Sequence, residues 1–197
     1  MELKTEVLEN RFVRLEPFED RHKEGLRAAC AADPDLWRDL YIISMLGEDF
    51  DRHWARLLKE QEKGVTIAFA VVVDGAVKGM TTYLGIDRGH RNLEIGSTYY
   101  EPSVRGGPVN PAANRLLLAH AFEAGAERVQ FRVDALNARS RAAVLKLGAV
   151  QEGILRRDRI TWTGRWRDTV HFSVLREEWP AVRDRLDARI AAFAEKS

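Results

Sequence analysis

Hydrophobic and polar positions change their period several times along the chain, and each change marks an element. From Arg11 to Glu16, Val13 and Leu15 alternate with Phe12, Arg14 and Glu16, the two-residue repeat of a strand. Asp20 opens a helical pattern through Leu26, Ala29 and Cys30. Asp33-Pro34 reads as an N-cap and first-turn proline for a short helix around Leu36, Trp37 and Leu40. Asp49 to Lys63 is a charged helix with Phe50, Trp54, Leu57 and Leu58 on one stripe, stopped by Gly64. Then the period shortens. Thr66 to Val73 is nearly all apolar, which suits a strand covered on both faces. Asp74-Gly75 is a hairpin signal, with Ala76 to Ile86 as the returning strand and Asn92 to Glu101 as the next. A turn-rich break from Pro102 to Gly107 precedes a long amphipathic helix, Pro108 to Ala126, which carries Leu116, Leu117, Ala121 and Phe122 and has Gly125 near its end. Arg128 to Asp134 alternates strictly, with Val129, Phe131 and Val133 opposite Gln130 and Arg132. Asn137 caps a short helix that runs to Leu147 and stops at Gly148. Two strands, Val150 to Thr161 and Arg165 to Leu175, flank a Thr163-Gly164 turn, and a charged helix from Glu177 to about Glu195 follows.

This order implies an α/β or α+β fold with a mixed, partly parallel sheet. At 197 residues the chain is most simply one domain, since domains run to roughly 100–200 residues. The 45% hydrophobic and 31% charged content excludes a disordered tail or a collagen-like fibre. A net charge of +1, from 31 basic and 30 acidic side chains, argues against a dedicated nucleic-acid binder. Cys30 is the one cysteine, so no internal disulfide can form and a reducing compartment fits. Met1 to Asn10 mixes Glu2, Lys4, Glu6 and Glu9 with apolar residues, unlike a signal peptide. No apolar run approaches the roughly 20 residues of a membrane helix. A cytoplasmic location without membrane contact is expected.

Several site chemistries drop out. The five histidines, His22, His53, His90, His120 and His171, are scattered, with no pair at helix spacing and no cysteine partner, so no metal is expected. There is no Walker loop, no Gly-x-Gly-x-x-Gly turn and no Gly-x-Ser-x-Gly elbow. Cys30 sits on an apolar helix face and reads as core rather than nucleophile. Trp37 and Trp54, at helical spacing, read as core rather than as pocket walls. The arginines at 156, 157, 159, 165 and 167 are interrupted by Asp158 and Asp168 and read as a solvated hairpin face rather than a nucleic-acid patch. Two stretches remain. Val104-Arg105-Gly106-Gly107-Pro108-Val109-Asn110 lies between a strand and a helix, where glycines turn amides outward and the helix start adds free N–H groups and positive dipole. Such a turn can cradle a pyrophosphate, although an ordinary strand-to-helix loop has the same composition. In the second stretch Asn137 is a good N-cap and Ser140 an early-turn residue.

Taken together these segments resemble the GNAT superfamily of acyl-coenzyme-A-dependent N-acetyltransferases, and within it the RimJ/RimL-like branch of ribosomal-protein N-terminal acetyltransferases. The resemblance rests on an ordered set: Leu93-Glu94-Ile95-Gly96-Ser97, Glu101-Pro102, Arg105-Gly106, and Arg132-Val133-Asp134-Ala135 with Asn137, Ser140, Lys146 and Gly148. It continues through Glu152-Gly153-Ile154-Leu155-Arg156, Arg167-Asp168 and Glu178-Trp179. It implies a three-layer fold, a mixed and mostly antiparallel sheet of about seven strands flanked by helices. It also implies acetyl-CoA as co-substrate, no metal, and direct acetyl transfer to a primary amine, either a protein N-terminus or a small molecule. A homodimer is left open.

Residue by residue, the resemblance implies that backbone groups of the splayed strand from Thr98 through Tyr99 and Tyr100 meet the pantetheine arm. The amides from Arg105 through Gly106, Gly107, Val109 and Asn110 would hold the pyrophosphate. Asn137 would bond the coenzyme arm, Ser140 would lie near its sulfur, and Glu94 would be the base that takes the ammonium proton, directly or through water. The chain also departs from the family pattern. Pro108 replaces a glycine and supplies no N–H. Val144 stands where many relatives have a tyrosine acid, leaving Ser140 or water for that role. Arg132 stands where some relatives have a second glutamate. These departures keep open a second reading, a coenzyme-A-binding protein with weak or no transfer activity.

Overall fold

The computed structural model describes residues 1–195. Its first half runs β1 (Leu8–Asn10), β2 (Val13–Pro17), α1 (Lys23–Ala31), α2 (Pro34–Leu40), α3 (Gly47–Glu62), β3 (Ile67–Val73) and β4 (Ala76–Asp87). The second half runs β5 (Asn92–Tyr100), α4 (Val109–Glu123), β6 (Arg128–Asp134), α5 (Ala138–Leu147), β7 (Val150–Ile160), β8 (Trp166–Leu175) and α6 (Trp179–Ala194). The strands form one sheet in the order β1-β2-β3-β4-β5-β6-β8-β7. Every neighbouring pair is antiparallel except β5 with β6.

The apolar run of β3 is buried on both faces, as its composition implies. Ile67, Phe69 and Val71 join one core, whereas Ala68 and Ala70 join the other. The first core lies under α4, α5 and α6, with Leu117, Leu118, Val144, Leu147, Val182 and Leu186 contributing. The second packs α1 to α3 against the opposite face through Leu26, Cys30, Trp37, Phe50, Trp54 and Leu57. The result is three layers. Local signals hold: the Asp33 side chain accepts the Leu36 amide with Pro34 in the first turn, and Asp74 and Gly75 (φ 50° and 75°) close the β3–β4 hairpin. Gly148 ends α5 at φ 108°. Trp37 and Trp54 are both core.

Most boundaries shift by one to three residues, and two differences from the pattern reading bear on the sheet and the site. The sheet has eight strands because β1 adds a short edge, three residues too exposed to show an apolar period. Pro108 is the N-cap of α4 rather than its first residue.

The feature that positions the site is the parting of β5 from β6. Only Asn92↔Arg128, Leu93↔Val129 and Glu94↔Gln130 pair, after which β5 stays with β4 and β6 stays with β8. A bulge in β5 accompanies the parting: Thr82 opposes Gly96 and Met80 opposes Tyr99, which leaves Ser97 and Thr98 against Thr81 alone. Ser97 takes φ 47° to make room, and Thr81 and Thr98 share a 2.8 Å hydroxyl bond across the bulge. One extra residue inverts the alternation beyond it. Leu93 and Ile95 face the core under α4, yet beyond the bulge Tyr99 packs into the other core and Tyr100 against the first. Opposite the bulge, Gly79 lies at φ 155°, and a Cβ there would sit 2.0 Å from the Tyr99 carbonyl oxygen.

Gly79→Ala is therefore expected to lower unfolding free energy by about 3 kcal/mol, since only backbone movement relieves the clash. Gly75→Ala, in open space at positive φ, should cost only about 1–2 kcal/mol. Urea midpoints of the two variants test the order; equal midpoints would refute the packing role of Gly79.

Candidate functional site

Where the strands part, Glu94 is the last β5 residue paired to β6. Leu93 and Ile95 face the α4 core, so Glu94 turns to the opposite face; it is 5% exposed. A Cβ at Gly96 would lie 2.6 Å from Glu94 Oε1, so glycine there leaves the carboxylate its space. Across the opening, Arg132 Nε donates to Glu94 Oε2 at 2.5 Å. Burial pushes the Glu94 carboxyl up, Arg132, Arg167 and Arg159 pull it back, and the balance leaves it above the ordinary carboxylate value.

A second buried carboxylate sits further along β6. Asp134 accepts the Leu136 amide at 2.9 Å and the Arg165 Nη2 at 2.5 Å. Arg167, 6% exposed, donates from Nη2 to the Arg132 carbonyl at 3.2 Å. Its Nε lies 3.9 Å from Asp134 Oδ2 and has no hydrogen-bond partner among the described residues. Arg165 also reaches the Asp39 carbonyl at 3.0 Å. Trp162 bonds the Ile42 carbonyl through its amide and the Trp37 carbonyl through its indole N–H, each at 2.9 Å. The β7–β8 hairpin is thereby tied to α2 and the loop after it. Arg165 and Arg167 turn inward to Asp134, so these two are not part of a solvated basic face.

The tyrosines divide. Tyr99 is 1% exposed, stacks on Trp37 with ring centroids 4.8 Å apart, and donates to the Ala29 carbonyl. Its side chain is core, so it can offer only backbone to a ligand. The Tyr100 hydroxyl is buried without a hydrogen-bond partner among the described residues. Tyr41, which the sequence reading missed, donates to the Thr98 carbonyl at 2.5 Å and joins the loop after α2 to the bulge.

The break after β5 is held from inside. Arg105 donates its amide to the Pro102 carbonyl at 3.2 Å, its Nε to the Tyr100 carbonyl at 2.6 Å, and its Nη1 to Asp33 at 2.5 Å. The Arg105 amide is thus engaged, which removes it from the predicted run of free donors. Gly106 stands at φ 78°, and nothing lies within 4 Å of a Cβ built on Gly106 or Gly107. Four amides, those of Gly106, Gly107, Val109 and Asn110, have no acceptor among the described residues. Pro108 and Pro111 supply no N–H. The Val109 side chain is core at 4% exposed, so only its amide is available.

Asn137 caps α5 through Oδ1, which accepts the Ser140 amide at 2.9 Å. Ser140 is half-buried in the first turn. No hydrogen bond joins either residue to Glu94 or to the Gly106 loop. Val144 is 7% exposed and packs in the core, and a valine side chain carries no acidic proton to give a ligand. Cys30 is buried, and burial pushes its thiol up to about 12, which keeps it inert. Among the described residues no cluster of three or more His, Cys, Asp or Glu could hold a metal ion, and no helix is long and apolar enough to cross a membrane.

A sheet that splays beside a loop of free amides at a helix start is the arrangement that the resemblance to the acyl-coenzyme-A-dependent acetyltransferases implies, and comparison with known proteins agrees. The chain belongs to the GNAT acetyltransferase family, whose domain profile matches residues 13–150. A crystal structure described as a "putative acetyltransferase" from T. thermophilus is 38% identical, with 96% of this chain and 99% of that one covered at a TM-score of 0.86. Mycobacterium smegmatis RimJ in complex with CoA-disulfide is 26% identical over 90% of this chain and 88% of its own, at a TM-score of 0.80. The "Putative ribosomal N-acetyltransferase YdaF" of Bacillus subtilis (strain 168) is 32% identical over 114 residues. That match spans 57% of this chain and 61% of the relative's length. The RimJ/RimL-like branch is the one these similarities support.

Asp33 links α2 to the loop, and its loss should cost about 1–2 kcal/mol as a missing cap and a stranded Arg105. Burial pushes its carboxyl up, but the Arg105 bond and the Leu36 amide outweigh that and hold it below the ordinary value. A depressed acid adds stability above its unfolded pKa and loses it as pH falls through the folded pKa. The stability gap between wild type and Asp33→Ala should therefore be flat at neutral pH and close below the ordinary carboxylate range. A gap unchanged down to acid unfolding would exclude the ion pair as its source.

Proposed function

We propose that this chain is a single acetyltransferase domain that moves an acetyl group from acetyl-CoA to a primary amine by direct attack. The observation that carries the reading is the parting of β5 from β6 at Glu94 beside four free amides. Those of Gly106, Gly107, Val109 and Asn110 suit a pyrophosphate, because fixed N–H groups neutralise charge without ordering a side chain. Beyond Glu94, the β5 backbone from Thr98 to Tyr100 no longer pairs with β6 and is available to an extended pantetheine arm. Asn137 and Ser140, at the start of α5, would bond that arm and lie near its sulfur.

In the transfer, Glu94 takes the ammonium proton, directly or through water. The freed nitrogen lone pair forms a bond to the thioester carbonyl carbon, the carbon–sulfur bond breaks, and coenzyme A leaves as thiolate. As the carbon–nitrogen bond forms, the nitrogen gives up its second proton, and with valine at 144 that proton reaches the thiolate through Ser140 or water. The printed name of the B. subtilis relative favours a protein N-terminus as acceptor, and the CoA held by RimJ favours the co-substrate. Cytoplasmic action suits the single buried thiol.

Acetyl-CoA at 100 times its dissociation constant should add about 2.7 kcal/mol to stability, visible as a thermal shift. Gly106→Leu, strained at positive φ and projecting into the cradle, should remove that shift; an unchanged shift would place the coenzyme elsewhere. Glu94→Gln should keep it yet slow release of free thiol in the presence of amine by roughly 10²–10⁴-fold. Because the Glu94 carboxyl is raised, the acid limb of the wild-type rate profile should lie above the ordinary carboxylate range. Arg132→Gln removes a cation that favours the charged form, so that limb should move to still higher pH. Normal transfer by Glu94→Gln at neutral pH would make Glu94 structural. A wild-type protein that binds acetyl-CoA but acetylates no amine would instead support the coenzyme-binding reading.

A further inference from the structure

Arginines surround the carboxylate to which the proposed reaction brings an ammonium group. Arg132 and Arg167, with Arg159 further off, all bear on Glu94 electrostatically. Arg165 and Arg167 share Asp134 as their acidic partner. Arg159 has Asp158 at 3.7 Å, so that pair is near neutral. Arg132, Arg165 and Arg167 against Glu94 and Asp134 leave positive charge in excess.

Donor capacity is also left over. Arg132 commits only Nε, to Glu94, and its terminal nitrogens have no protein acceptor among the described residues. Arg167 is more than nine-tenths buried, and its Nε, 3.9 Å from Asp134 Oδ2, has no hydrogen-bond partner among the described residues. A buried donor left unpaired costs about 1–3 kcal/mol, and native interiors rarely tolerate one without a reason. The planar guanidinium fork matches carboxylate and phosphate geometry better than any other acceptor.

Consider what an incoming ammonium does here. To reach Glu94 it must compete with Arg132 for the carboxylate. A simple amine that wins leaves Arg132 without its partner in a partly buried site, which is unfavourable. An amine that carries its own anion exchanges partners instead: its ammonium meets Glu94 and its anion takes Arg132 and Arg167. Every charge is then paired. A polyamine brings further positive charge to a site already in excess of it.

Building on the acetyltransferase reading, we propose that the acceptor is a primary amine with a carboxylate or phosphate a few bonds from its nitrogen, held by Arg132 and Arg167 while the nitrogen meets Glu94. Two sources share this chemistry: a free amino acid or phosphorylated amine, and a peptide N-terminus with an acidic residue at its first or second position.

The test is acceptor competition with acetyl-CoA fixed and free thiol as readout. C-terminally amidated Ser-Asp-Asp, Ser-Ala-Ala and Ser-Lys-Lys are compared with free aspartate, phosphoethanolamine and spermidine. The anionic acceptors are expected to exceed the neutral peptide by about 10-fold or more in kcat/KM, chiefly through KM, as a contact present in both ground and transition states requires. Ser-Lys-Lys and spermidine should be the poorest. Aspartate and phosphoethanolamine ahead of Ser-Asp-Asp identifies a small-molecule acceptor; the reverse identifies a peptide, and either supports the proposal. Arg167→Gln should collapse the preference of Ser-Asp-Asp over Ser-Ala-Ala toward unity, and Arg167→Lys, which keeps the charge but not the fork, should restore part of it. Arg159→Gln, an exposed change that leaves the buried pairs intact, should alter the ratio far less. Neutral or basic acceptors used as well as anionic ones, or an unchanged ratio in a folded Arg167→Gln, overturns the proposal while the transferase reading stands. Silence of all six acceptors overturns the transferase reading itself, because no order among acceptors then exists.

Discussion

Three residue pairs hold β5 to β6, and the rest of the site depends on their number being so small. Asn92, Leu93 and Glu94 find parallel partners, and beyond them β5 bends into its bulge while β6 continues with β8. Backbone N–H and C=O groups that leave a ladder need water or a ligand, so a parted sheet is a site for an extended chain of polar and apolar groups. A continuous sheet would have buried that edge. The bulge also turns Tyr99 into the α1–α3 core, where its stack on Trp37 and its bond to Ala29 anchor the bent segment.

The parted strands place two carboxylates, Glu94 and Asp134, in buried surroundings, and burial disfavours the charged form of Glu94. Arginines compensate, drawn from β6 and β8. Burial in turn lowers the pKa of Arg167, while Asp134 and Glu94 raise it. Buried ion pairs of this kind add little to stability against an apolar alternative, because desolvation offsets most of the attraction. Their persistence here is better understood as positioning. The pairs fix the Glu94 carboxylate against Arg132, and contacts of Arg165 and Trp162 hold the β7–β8 hairpin over α2.

The loop after β5 shows the same economy in a different form. Arg105, the one cation of the Gly106-Gly107 turn, faces inward to Asp33 and Tyr100 rather than outward. The side chain stiffens the turn, and the backbone is left to meet whatever the turn binds. Pro108 fixes the chain at the N-cap of α4 and Pro111 sits inside the first turn, so four amides of this short stretch have no acceptor among the described residues. Fixed amides at a helix start need little reorganisation to receive an anion.

Most of the secondary structure was legible in the sequence, because its causes are local. The strict alternation of Arg128–Asp134, the Asp33-Pro34 and Asn137 caps, the Asp74-Gly75 hairpin and the Gly148 stop each act within a turn or a few residues. The ordered motifs around Glu94, Gly106, Asn137 and Ser140 were legible for the same reason, as sequence-adjacent sets. Tertiary structure decided what lies between distant segments. Whether Tyr99 faced a ligand or a core depended on one extra residue in β5, which inverts the alternation and leaves no mark in composition. That Arg132 pairs with Glu94, Arg167 with Asp134 and Arg105 with Asp33 depended on contacts across 38, 33 and 72 residues. β1 escaped notice because three residues, of which only Leu8 is half-buried, have no period to read. Periodicity and capping are properties of a short segment, whereas charge pairing and the parting of two strands are properties of register, which only the folded sheet sets.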